Sequence, residues 1–103
     1  MQFIDLNKHI DLTATMDLVD HLHYENEESY SSLARLVSMH APVSVIKAVV
    51  AEMERMGKML DAACTDAASV IRDNPSLMGI AEGHPGFPLV KVDLIMMGVE
   101  VDP

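Results

Sequence analysis

The side chains of this chain that could bind a metal ion or act as nucleophiles include five histidines and a single cysteine. His21 and His23 stand two residues apart, so on a helix they point to different sides, unlike the i, i+4 pair of zinc-binding helices. Asp17 and His21 do have that spacing and could hold one ion weakly. A hydrogen-bonded histidine on a solvated acidic helix face explains the pattern more simply. We therefore predict no metal site and no cofactor.

Nucleophilic catalysis has little support in the sequence. Cys64 lies in an apolar stretch, whereas a reactive cysteine needs a nearby cation or a helix N-terminus, so we expect a small buried thiol. Gly83-His84-Pro85-Gly86 lacks the spacing of a phosphate-binding loop, and no serine, histidine and aspartate form a recognisable nucleophile elbow. His84 is expected in an exposed turn, with contact to a partner as the alternative role. The sequence therefore predicts a protein that is not an enzyme.

Length and composition are typical of a small folded domain. The 103 residues allow a single domain over residues 1–103, and a hydrophobic fraction of 50% argues against disorder. Acidic residues outnumber basic ones by 16 to 7, and this net charge of -9 excludes a domain that attracts nucleic acid through clustered lysine and arginine. One cysteine, short apolar runs and a start without signal-peptide features predict a cytoplasmic protein without membrane contact.

Hydrophobic periodicity predicts two short helices before residue 40. The first runs from about Leu12 to Tyr24, with a threonine near its start as N-cap, and the second runs from Ser29 to about Met39. Residues 25–28, Glu-Asn-Glu-Glu, are expected to form a polar connector between them. Residues 40–42 should end the second helix, because a proline disfavours helical backbone in the residue before it.

The longest periodic pattern predicts one long helix over about residues 43–72. Its apolar positions alternate in steps of four and three residues, a heptad-like seam. Such a helix is roughly 45 Å long, too long for a small domain to cover, so we predict a homodimer through the seam. Gly57 weakens a helix interior by about 1 kcal/mol, yet the seam keeps its phase across this glycine, which favours a continuous helix. The predicted dimer interface consists of Ile46, Val50, Met53, Gly57, Leu60, Cys64, Ala67 and Ile71.

The C-terminal third is predicted to contain a loop and a small β element. Residues 77–88 include three glycines and two prolines and are expected to be irregular. Residues 89–97 alternate apolar and polar positions and predict a strand within a β element over about 89–101. The side chains expected on its apolar face are Val90, Val92, Leu94 and Met96. The predicted fold class is mainly α: two short helices packed on one long helix, with a small C-terminal β element.

Charge is concentrated near the start of the chain and gives the main functional hypothesis. Residues 1–30 sum to -6, residues 31–72 to +1 and residues 73–103 to -4. The carboxylates expected to bind a partner are Asp17, Asp20, Glu25, Glu27 and Glu28. At this density they either keep the surface hydrated or imitate a phosphate track and occupy a basic surface of another protein. We hypothesise a non-catalytic, protein-binding regulator or inhibitor that does not itself contact nucleic acid.

Small inhibitors encoded by phages and other mobile elements, including those that block CRISPR effectors, share this physical description. No motif in the chain identifies such a family, so the likeness is one of type.

Two alternatives remain open. Residues 29–59 can form a helix-turn-helix of a transcriptional regulator, although Lys47 is the main early cation of the would-be recognition helix and residues 60–71 look helical where a wing would follow. The other alternative is a structural subunit whose role is assembly.

Overall fold

The structure is a computed structural model that describes residues 6–101, and every regular element in this part of the chain is helical. The elements are α1 (Leu6–Ser38), α2 (Val43–Asp73), a 3-10 turn (Pro75–Leu77), α3 (Met78–Glu82) and α4 (Phe87–Met96). The mainly α prediction is therefore confirmed, with four α-helices over the described residues. Residues 1–5, which carry the expectation about a signal peptide, lie outside them.

Residues 6–38 form one helix of 33 residues, so the prediction of two short helices with a connector is wrong. The reason is that this stretch contains no glycine or proline, and glutamate in the expected connector is a good helix former. Hydroxyl side chains at the two expected helix starts instead bond one turn back along α1. Thr13 donates to the His9 carbonyl at 3.0 Å, and Ser29 donates to the Glu25 carbonyl at 3.0 Å.

A tight turn at residues 39–42 reverses the chain between α1 and α2. His40 has a φ of 56°, the left-handed conformation that commonly follows a helix. Its N–H donates to the Val37 carbonyl at 3.1 Å, while the Ala41 N–H donates to the Leu36 carbonyl at 3.0 Å. This pair of bonds is the Schellman pattern, which satisfies carbonyls at the end of α1. Pro42 then precedes α2 with extended backbone, so the two long helices form an antiparallel hairpin.

The predicted long helix is confirmed, because α2 is continuous over Val43–Asp73 and passes through Gly57 without interruption. A Cβ atom built on Gly57 would meet nothing within 4 Å. The glycine is therefore not required by packing inside this chain. Asn74 ends the helix, and both its backbone N–H and its side-chain amide donate to the Val70 carbonyl at 2.9 Å.

The predicted C-terminal β element is wrong: residues 87–96 form α4, and no strand is present in residues 6–101. Pro88 lies in the first turn of α4, where its missing N–H costs no helical hydrogen bond. Val90 and Leu94 are both 0% exposed, four residues apart, whereas Val92 and Met96 are 55% and 80% exposed. This burial has the helical period, so the alternation in the sequence does not correspond to a sheet face.

Residues 77–88 are less irregular than their glycines and prolines predict. Leu77 closes the 3-10 turn and is 1% exposed, and the five residues of α3 follow directly. Only residues 83–86, between α3 and α4, lack helical structure, and they form turns and bends. The whole segment lies against the hairpin, since Leu77, Ala81 and Phe87 belong to the hydrophobic core.

Burial divides the hairpin into two parts. The buried residues of α1 and α2 are Leu12, Met16, Val19 and Leu22 on the first helix, and Met56, Ala63, Cys64, Ala67, Ala68 and Ile71 on the second. No residue between Leu22 and Met56 is buried. We call residues 23–55 the arm and the other described residues the body. The radius of gyration is 16.9 Å, against about 13 Å for a compact domain of this length, because the arm extends away from the body.

Candidate functional site

Four of the five carboxylates predicted to bind a partner lie on one side of α1. Asp17, Asp20 and Glu27 recur at helical spacing with Tyr24 between the last two, and Glu28 adjoins them one turn beyond Tyr24. All four carboxylates are exposed, and Tyr24 is 61% exposed at the centre of the group. We call these four acidic residues the acidic strip. Glu25 is also exposed but lies about 100° further around the helix from Tyr24, on a different side.

Tyr24 is the residue of this surface that sequence reasoning missed. Tyrosine is enriched among residues that contribute most to protein interfaces. Its position within the i, i+3, i+4 spacing of the acidic residues is visible in the sequence, but the sequence does not show that the side chain stays out of the core. The structure therefore places an exposed aromatic ring in the middle of a negatively charged surface.

Asp17 has a partner within the chain. Its Oδ1 lies 2.7 Å from Nε2 of His84, and the other ring nitrogen of His84, Nδ1, accepts the Gly86 backbone N–H at 2.9 Å. Because a backbone N–H can only donate, Nδ1 is unprotonated in this arrangement and Nε2 donates to the carboxylate. Both ring nitrogens are therefore occupied. His84 attaches the turn before α4 to α1, and neither nitrogen is free to act as a general base.

The histidines do not assemble a metal site with the acidic strip. Nε2 of His23 lies 3.3 Å from Glu27 one turn further along α1, while Asp17 bonds His84 and not the predicted candidate His21. Over residues 6–101 there is no group of three or more histidine, cysteine, aspartate or glutamate side chains that could hold a metal ion. His23 and His84 each contact one carboxylate, a pattern that suits surface hydrogen bonding better than metal coordination.

Cys64 is a buried thiol in the body. Its side chain is 7% exposed, and burial, together with the negative charges of Asp93 and Asp61, raises the pKa of the thiol to about 11. The thiolate is the nucleophilic form of cysteine, so this environment suppresses reactivity. The arrangement is the opposite of an activated catalytic cysteine.

The raised pKa gives a direct prediction for thiol chemistry. At pH 8 we expect iodoacetamide to alkylate Cys64 on the order of 100-fold more slowly than a free cysteine, whose pKa is about 8.5, because far less thiolate is present. The measurement is the rate of mass increase in the folded protein, with the protein unfolded in urea as the control. A folded rate equal to the unfolded rate would show that the thiol is not protected.

A second surface is a groove between α1 and α2 on the arm. It has a volume of about 480 Å³ and is lined by Ser29, Ser32, Ser44, Val45, Ala48, Val49 and Glu52. Small and apolar side chains dominate this lining. Glu52 at its edge bonds the Arg55 guanidinium, and this hydrogen bond lowers the pKa of the Glu52 carboxyl. The groove presents hydroxyls and hydrocarbon, and its lining residues include no nucleophile activated by a neighbouring base.

The residues predicted as a dimer interface fall in two different environments. Cys64, Ala67 and Ile71 are buried by the protein's own helices, and Leu60 packs against the same core. Ile46, Val50 and Met53 lie on the arm, where they are exposed or half-buried, and Gly57 is half-buried at the base of the arm. The first half of the seam is therefore available to a second molecule in this structure.

Comparison of the chain with protein-family models, curated proteins and solved structures gives no match. The geometry of its surfaces is therefore the basis for a functional proposal. Across residues 6–101, no helix combines the length and the apolar character that a bilayer crossing requires.

Proposed function

We propose that this protein is a non-catalytic binding module that acts on a protein partner, as a small acidic regulator or inhibitor. The observation that supports this proposal best is the acidic strip with Tyr24 at its centre. Two of its members, Asp20 and Glu28, are exposed and have no ion-pair partner in the described residues, so their charge is available to a partner. The complementary surface on the partner is basic, such as a groove that binds nucleic acid.

The two kinds of group in this surface have different roles in the proposed complex. The carboxylates attract a basic partner over several ångströms and set the rate of encounter, whereas the exposed ring supplies contact area once the two surfaces meet. Asp17 contributes less to attraction because it bonds His84. The proposed site of action is the cytoplasm, and the protein itself does not contact nucleic acid.

The test compares three forms of the protein as bait in a lysate of its native cell. The strip variant carries Asp20→Asn, Glu27→Gln and Glu28→Gln, and leaves Asp17 intact because that residue bonds His84. The charge-matched control carries Asp61→Asn, Asp66→Asn and Glu82→Gln, three exposed acidic residues of the body. We expect wild type and control to retain the same basic partner and the strip variant to lose it. Equal retention by all three forms would contradict the proposal.

A structural subunit of a larger assembly is the second candidate, and the arm is the observation that favours it. The arm exposes large apolar side chains, including Tyr30 at 59% and Val37 at 54%. Such exposed apolar patches commonly mark surfaces that contact another protein. Sedimentation distinguishes the two functions, since a defined oligomer larger than a dimer, with no captured partner, supports the assembly role.

The helix-turn-helix alternative has weaker support than either. The segment expected to lead into a wing, residues 57–59, lies inside α2, and α2 continues for a further 14 residues to Asp73. The arm carries three basic residues, Arg35, Lys47 and Arg55, and Arg55 pairs with Glu52, which leaves few cations for phosphate contacts on both strands of a duplex. An electrophoretic mobility shift of duplex DNA by this protein at low salt would support this alternative.

A further inference from the structure

One side of the hairpin is covered along the body and bare along the arm. On the body this side of α2 packs against α4, where Thr65 Oγ1 donates to Asp93 Oδ2 at 3.2 Å. Cys64 and Ile71, seven residues apart on α2, are 7% and 1% exposed there. Counting back by the same seven residues leads to Gly57 and Val50 on the same side, beyond the reach of α4.

The first helix shows the same change from covered to bare. Met16 is 1% exposed, and its carbonyl lies 3.1 Å from the position that a Cβ atom on Gly86 would take. Steps of seven residues from Met16 lead to His23, Tyr30 and Val37, all on the arm. Through Tyr30 and Val37 on α1 and Val50 on α2, the arm thus continues the side that the segment before α4, and α4 itself, cover on the body.

Two charged residues border this bare surface on α2. Lys47 and Glu54 are seven residues apart, so they lie on one side of the helix and about 10 Å from each other. Both are exposed, and neither forms an ion pair within the described residues. Val50 lies three residues after Lys47 and four before Glu54, within the bare surface.

We propose that a second copy of this chain covers the bare surface, with the two arms antiparallel. When Val50 packs against the partner's Met53, the same register sets Gly57 opposite the partner's Ile46, a small residue facing a large one. Each Lys47 then lies beside the partner's Glu54, giving two symmetric ion pairs at the flanking positions of an antiparallel coiled coil. A parallel pairing instead puts Lys47 and the partner's Glu54 on opposite flanks of the interface, so these two ion pairs do not form.

The size and charge of the arm suit this dimer. The α2 stretch from Val43 to Leu60 is about 27 Å long and the hairpin roughly 20 Å wide, so two such faces bury on the order of 1,000 Å² in projection, enough for a specific interface.

Residues 29–51 at the tip contain two basic and no acidic residues. The body contains nine acidic and four basic residues. Antiparallel arms bring each basic tip to the partner's acidic body.

Charge exchange tests the antiparallel arrangement. We expect sedimentation equilibrium at low ionic strength to show a dimer for the wild type. Lys47→Glu and Glu54→Lys should each weaken it by about tenfold, since each variant sets like charges together at both symmetric positions. The double variant restores the opposite-charge pairs and should return the dissociation constant to within about twofold to threefold of wild type. A double variant that dimerises no more tightly than the single variants would overturn the antiparallel register.

A second pair of variants tests the apolar contact. Val50→Asp should abolish the dimer because it introduces a charge at the centre of the interface, while Val92→Asp, the same change at an exposed position on α4, should leave dimerisation unchanged. Circular dichroism should show helical, cooperatively unfolding protein for both, since both valines are partly exposed in the single chain. A wild type that stays monomeric at all concentrations, or a dimer that persists in Val50→Asp, would overturn the proposal.

Discussion

Leu94→Ala is expected to lower the free energy of unfolding by about 2–5 kcal/mol, a large part of the 5–15 kcal/mol typical of a folded domain. Leu94 lies in the last turn of α4, is 0% exposed and belongs to the core formed with α1 and α2. Alanine leaves a cavity at this position, and the surrounding side chains and helices can relax to fill it only in part. Urea denaturation followed by circular dichroism gives the change directly.

Val92→Ala is the matched control, two residues away in the same helix. Val92 is 55% exposed, so its truncation should change stability by no more than about 0.5 kcal/mol. The pair also separates helix from strand, because residues 92 and 94 share one face of a strand and opposite sides of a helix. Comparable losses for both variants would contradict α4 and favour a strand at residues 89–97.

Gly86→Ala should cost about 1–3 kcal/mol, because the turn before α4 lies too close to α1 for an added methyl group. A Cβ at this position would be 3.1 Å from the Met16 carbonyl oxygen and 3.3 Å from Nδ1 of His84. The backbone of Gly86 is right-handed helical, so the cost arises from space and not from backbone conformation. Thermal unfolding of the two proteins measures it.

Gly79→Ala provides the control for the same chemical change. Gly79 lies in α3, and a Cβ there meets nothing within 4 Å. Alanine should therefore be neutral or stabilise by up to about 1 kcal/mol through its higher helix propensity. If Gly86→Ala were as well tolerated as Gly79→Ala, the close approach of the turn to α1, and with it the placement of His84 beside Asp17, would be wrong.

Periodic spacing alone was enough to predict α2. Its seam repeats from Ile46 to Ile71 without a change of phase, and Pro42 before it and Asn74-Pro75 after it mark its ends. Gly57 did not break the helix, because one glycine costs about 1 kcal/mol and the packing of the other residues of α2 stabilises the helix by more than that. Length and regularity made this element predictable.

Local sequence was a poor guide where the same residues suit two structures. Residues 89–97 alternate like a strand and also contain the i, i+4 pair Val90 and Leu94 of a helix, and the core contact of those two side chains decides between the two. The expected connector at residues 25–28 is polar, but polarity marks an exposed helix as readily as a loop when no glycine or proline is present. Tertiary packing resolved both cases, and a single sequence does not contain it.

The sequence predicted which acidic residues are exposed at the candidate site, but not which residues they contact. Asp17, Asp20, Glu27 and Glu28 are exposed as expected, because an unpaired carboxylate is costly to bury. The bond between Asp17 and His84 was not predictable, since these residues are 67 apart in the chain and only the docking of the turn before α4 brings them together. For the same reason the sequence did not show that half of the seam is used inside the single chain.

The most direct test of electrostatic binding is kinetic. It measures how the association rate depends on salt for the partner that the acidic strip retains. Attraction between exposed charges is screened within about 10 Å at 0.1 M salt and about 3 Å at 1 M. We predict an association rate that falls at least about tenfold across that range while the dissociation rate changes little. An association rate that stays constant across it would contradict the account.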